Sequence, residues 1–165
     1  MKAKRVATFG ILIALAFLLS YIERIIPIPI PIPGIKLGLA NLVVICGLYT
    51  MGPKEAFTLS IIRIILVGMT FGNPSTMMFG IGGGLLSWFL MVLFYKNKKL
   101  STSGVSIIGG ISHNIGQILV ASWVVKNLII IYYLPFLLIS GALTGMIIGI
   151  IGSTIIDRIK MMKID

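Results

Sequence analysis

Arg63 and His113 stand in the middle of long apolar runs. An ionisable side chain at such a place is costly in hydrocarbon, turns toward the protein interior and marks a ligand or ion site. Arg63 lies about ten residues from the inner end of its run and His113 about nine, so at 1.5 Å per helical residue the two reach similar depth. Asn114 and Gln117 follow slightly further out, and His113 and Gln117, four residues apart, share a helix face. Asn41 occupies the outer half of another run, while Glu23, Arg24 and Lys36 flank an outer loop. Arg63, His113, Asn114, Gln117, Asn41, Glu23 and Lys36 are therefore candidate ligand-binding residues on a polar track from an outer mouth toward the midplane.

The chemistry these residues offer is recognition rather than bond making. The four acids, Glu23, Glu55, Asp157 and Asp165, all lie away from the middle of the apolar runs, so Arg63 meets no obvious carboxylate at its own depth. It either bonds helix carbonyls and the His113–Gln117 group or awaits an anionic or carbonyl-rich ligand. One histidine makes no metal site, which wants several converging ligands. One cysteine, Cys46, allows no intrachain disulfide. Close paired carboxylates that would hold the magnesium of a diphosphate-handling enzyme are missing, as is a phosphate-cradling Walker A loop. No catalytic residue, metal or cofactor is expected, and any ATP use belongs to a partner.

The elements that position these residues follow from composition. Of the 165 residues, 58% are hydrophobic and 11% charged, far below the quarter usual in soluble domains. Hydrocarbon is the solvent that permits this balance. The net charge of +10 comes from short basic clusters between apolar runs, a membrane topology signal rather than a nucleic-acid surface. Lys2, Lys4 and Arg5 before an apolar run imitate a signal peptide. Glu23, Arg24 and a proline repeat follow instead of a small-residue cleavage site, so the run reads as a retained first helix.

Apolar runs at approximately 6–22, 37–52, 54–70, 76–95, 104–125 and 133–156 predict about six membrane helices, the second and third joined at Gly52-Pro53 as a hairpin or a re-entrant pair. The expectation is an all-α integral membrane protein, one transmembrane helical domain over 1–165, multi-pass in the cell membrane. Ten basic residues collect on the side of the N-terminus and three, Arg24, Lys36 and Lys126, on the other. That bias predicts both termini in the cytoplasm.

Two further features are not explained by spanning alone. Pro27, Pro29, Pro31 and Pro33 alternate with isoleucine up to Gly34, which forbids helix and extends the chain. Too apolar for a solvated loop, the segment either lies in the lipid interface or folds over the outer mouth as a lid. Ala3, Ala7, Gly10 and Ala14 fall within about 60° of one another at 100° per residue, a small-residue stripe suited to close helix contact. Gly141, Gly145, Gly149 and Ser153 on the last helix, and Gly80 and Gly84 on the fourth, repeat the device and are expected to pack inside the bundle. The stripe on the first helix either does the same or receives a partner helix.

The run YIERIIPIPIPIPGIKLGLANLV at 21–43, with LYTMGPKEA and SHNIGQILVAS at 112–122, resembles the family of Gx transporters, also labelled heptaprenyl diphosphate synthase component I. That family is similar to the substrate-binding S components of energy-coupling factor (ECF) transporters. The resemblance covers nearly the whole chain and implies a six-helix bundle with an outward pocket capped by the first loop. It also implies docking of a membrane coupling protein, driven by two ATPases, on the small residues of the first helix. The expected function is substrate binding for uptake of a small vitamin-like or precursor-like molecule. The alternatives are a non-catalytic accessory of a polyprenyl diphosphate synthase and a self-contained channel or carrier.

Overall fold

A computed structural model of the chain describes residues 2–26, 36–97 and 100–161. The proline repeat, with Pro27, Pro29, Pro31, Pro33 and Gly34, lies outside the described residues. Six α-helices account for nearly all of the rest: α1 (Lys2–Ile25), α2 (Leu39–Thr50), α3 (Pro53–Thr70), α4 (Pro74–Lys96), α5 (Thr102–Val125) and α6 (Leu134–Met161), with a 3-10 turn at Leu128–Tyr133 before the last. The chain is an all-α, multi-pass membrane protein. Residues 3–25, 74–96, 102–125 and 128–161 are long and apolar enough to cross a membrane.

The second helix is shorter than the 37–52 expected from hydropathy. Gly38 takes φ 73°, a left-handed conformation that glycine enters without a Cβ penalty, and its N–H donates to the Glu23 carboxylate. The helix therefore starts at Leu39, and its 12 residues rise only about 18 Å, part of the way across hydrocarbon. At the other end Gly52, φ 117°, turns the chain into Pro53 at the first position of α3, the hairpin expected there. The first helix runs through Glu23 and Arg24 to Ile25 rather than ending at residue 22.

Five helices form a ring in the order α2, α6, α5, α4, α3, closed by α3 against α2, while α1 packs outside on α2 and α3. The α5 seams are backbone-close. A Cβ added at Gly145 would stand 2.8 Å from Ile107 Cα, and one at Gly83 would stand 2.7 Å from the His113 carbonyl oxygen. The glycines of α4 and α6 thus pack inside the bundle, as expected from the sequence. Ser153 instead returns its hydroxyl to the Ile150 carbonyl of its own helix.

The two ends of the bundle differ. At one end Arg5 pairs with Glu55 and donates to the Met51 carbonyl, and Lys160 lies over the Tyr49 ring. Trp88 Nε1 donates to the Pro53 carbonyl there. The dry core, including Val43, Ile45, Leu48, Ala56, Leu59, Met91, Val105 and Ile148, fills this half. The opposite end collects Arg24, Lys36 and Lys126, with Trp123 74% and Tyr132 80% exposed, an amphipathic aromatic fringe of the kind found at membrane interfaces. In that half the helices leave an opening.

Candidate functional site

The opening is a cavity of about 470 Å³, within the range of small-molecule sites. It enters from the end opposite the Arg5–Glu55 pair. Glu23, Lys36, Asn41, Arg63, His113, Asn114 and Gln117 all line it, so the fold brings the seven sequence candidates to one cavity. Four helices and the connection before α2 deliver them. Glu23 comes from the last turn of α1, Asn41 from the first of α2, Arg63 from α3, and His113, Asn114 and Gln117 from adjacent turns of α5.

Each polar group has a distinct state. Glu23 accepts the Gly38 N–H, tying α1 to the start of α2. The sequence placed Glu23 only at the mouth, but it shares the cavity with Arg63 and its charge reaches that guanidinium. Among the described residues Arg63 nevertheless forms no ion pair, and its buried Nε has no hydrogen-bond partner. His113 Nδ1 is likewise buried and unpartnered. Asn114 is committed, its Nδ2 donating to the Leu137 carbonyl at 2.6 Å, so it braces α5 against α6 while facing the cavity. Lys36 is exposed by area yet stands inside the concave mouth. That enclosure lowers its ammonium pKa from the ordinary lysine value, with Glu23 opposing the shift and Arg63 and Arg24 adding to it.

Arg24, which the sequence placed beside the outer loop, also lines the cavity, and further lining residues escaped the sequence reading. Arg24 donates to the Phe71 carbonyl and lies 5.7 Å from the centroid of its ring, clamping α1 to the end of α3. Ser20 and Thr144 contribute hydroxyls, while Ile64, Val67, Met77 and Phe71 supply an apolar wall. Ser20 precedes Glu23 by three residues, and Thr144 follows Gly141 by three. Helical spacing from Glu23 was the one signal available for Ser20, and Thr144, spaced from a glycine expected only to pack, had none. Among the described residues no group of three or more His, Cys, Asp or Glu could hold a metal ion.

The small-residue stripe of α1 faces away from the cavity. Ala3, Ala7, Gly10 and Ala14 are exposed, and a Cβ at Gly10 would meet nothing within 4 Å. The buried side of the helix is instead made by Ala16 and Ser20, with Phe9, Leu12, Ile13 and Leu19 against the core.

A solved structure of the S component of a bacterial ECF transporter is similar over 97% of this chain and 95% of that one, with TM-score 0.58 and 24% sequence identity. The two share a fold. A comparison with curated proteins finds no match. Residues 12–155 match the family described as heptaprenyl diphosphate synthase component I. With that match spanning most of its length, the chain belongs to the heptaprenyl diphosphate synthase component I family.

Proposed function

We propose that the protein is the substrate-binding subunit of an ECF-type uptake transporter for a small vitamin-like or precursor-like molecule. The observation that carries this reading is the cavity itself. Eleven polar or charged side chains, the seven sequence candidates among them, converge on one open site in the half of the bundle opposite the basic end, on a fold shared with an ECF S component. The basic end faces the cytoplasm of the cell membrane by the positive-inside rule, which directs the cavity outward. The described neighbours of the proline segment, Ile26 and Lys36, both line the cavity.

Energy comes from partners. The exposed stripe of Ala3, Ala7, Gly10 and Ala14 receives a helix of a membrane coupling protein, because small side chains let backbones approach where lipid gives no hydrophobic drive. ATPase subunits attached to that protein hydrolyse ATP, and this chain catalyses no reaction.

Co-purification tests the assignment. The tagged full chain, extracted from native membranes, should retain a membrane coupling protein and ATPases. The family's description favours a second reading, a membrane accessory of a polyprenyl diphosphate synthase. Recovery of a prenyl synthase as the stable partner, without ATPases, would establish that reading and overturn the first.

A further inference from the structure

The charges in the cavity and its unmade hydrogen bonds define the class of molecule it takes. Three cations and one carboxylate line the wall. Arg24 is held on the Phe71 carbonyl and ring, and the Glu23 carboxylate, which accepts the Gly38 N–H, offsets one of the three positive charges. Lys36 and Arg63 remain. Arg63 has its buried Nε without a partner and no ion pair among the described residues, although a guanidinium presents five donors in a fork that matches a carboxylate or phosphate. Leaving such donors unmet in a low-dielectric site is expensive. A neutral carbonyl would satisfy one donor and none of the charge. A cation would be repelled by the same surplus.

We propose that the cavity takes a small amphipathic anion, its carboxylate or phosphate group seated on Arg63 with Lys36 contributing at the mouth. The apolar part of the ligand lies along Ile64, Val67 and Met77, the α3–α4 side of the cavity. The field of Lys36 and Arg63 draws the anion in from the mouth, and Arg63 then holds it. This inference rests on reading the cavity as a substrate site, and it narrows that site to one charge class.

Four water-soluble probes share one ring and differ in head group: benzoate, phenyl phosphate, benzamide and benzylamine. The full chain is purified in dodecyl maltoside, which supplies neither charge nor phosphate, and its melting temperature is followed as each probe is titrated. Benzoate or phenyl phosphate should stabilise it, and the stronger of the two assigns carboxylate or phosphate chemistry. Arg63→Gln should weaken the preferred anion about tenfold or more, the loss of a charge-assisted hydrogen-bonded contact, and Arg63→Lys should weaken it less. Should Arg63→Gln not fold, Lys36→Gln at the exposed mouth should still weaken the anion several-fold.

Equal stabilisation by benzamide or benzylamine, unchanged anion binding in a folded Arg63→Gln protein, or stabilisation by neither anion overturns the inference. A neutral or cationic ligand in the cavity would leave the binding-subunit reading standing. A prenyl synthase as the stable partner would overturn that reading without touching the charge class.

Discussion

The same substitution, Gly→Ala, should have opposite effects on stability at Gly145 and Gly10. At Gly145 the new Cβ stands 2.8 Å from Ile107 Cα and from the Ser106 carbonyl oxygen, whereas ordinary contact begins at 3.4 Å. The obstructing atoms are backbone, so no rotamer change relieves the clash and α6 must move off α5 by about 0.6 Å. A gap of that size forfeits a quarter to a half of the dispersion energy of the contacts it opens. Overpacking of a tight seam costs about 1–3 kcal/mol, here toward the upper end. Alanine regains about 1 kcal/mol of helix propensity over glycine. The net cost is roughly 2 kcal/mol, a melting temperature lower by about 4–8 °C in a protein of this size. At Gly10 nothing lies within 4 Å, so only the propensity gain applies and the melting point should hold or rise. Thermal unfolding of the two variants beside the parent, in one detergent, reads both. A Gly145→Ala protein as stable as the parent, or an equal loss from Gly10→Ala, would refute the assignment of one stripe to internal packing and the other to an open face.

Three further outcomes follow from individual contacts. Gly10→Leu should not lower the melting temperature, since leucine gains helix propensity over glycine much as alanine does and nothing lies within 4 Å of a Cβ there, while abolishing co-purification of the coupling protein. Asn114→Leu removes the 2.6 Å bond to the Leu137 carbonyl and should cost about 0.6–2 kcal/mol in thermal unfolding. Glu23→Gln keeps an acceptor for the Gly38 N–H and deletes the cavity's negative charge, so it should tighten binding of the preferred anionic probe by about threefold or more, read by the same melting titration.

Much of this architecture was legible in the sequence because hydrocarbon makes polarity conspicuous. Arg63 and His113 interrupt apolar runs, so their turning to the protein interior could be expected from cost alone. The helix count was equally plain, as was the turn at Gly52-Pro53, read as a hairpin or a re-entrant pair. The start of α2 was not, since Gly38 is turned out of the helix by a contact with Glu23, fifteen residues earlier. Hydropathy averages over such a contact. The commitment of Arg24 to Phe71 was hidden for the same reason, as it depends on where α3 ends relative to α1. The apolar wall of Ile64, Val67 and Met77 was invisible because nothing in a membrane sequence separates an isoleucine facing a ligand from one facing lipid. Glycine stripes were readable as contact surfaces. Which of them already had its neighbour was settled by tertiary packing, with Gly145 against Ile107 and Gly10 against nothing.

Mass spectrometry of small molecules released from the purified full chain tests the central claim most directly. A substrate-binding subunit should yield one compound near stoichiometric amount, absent from an unrelated membrane protein purified in parallel and depleted from the folded Arg63→Gln variant. Nothing enriched over that control, or the same compound retained equally by the variant, would contradict the account.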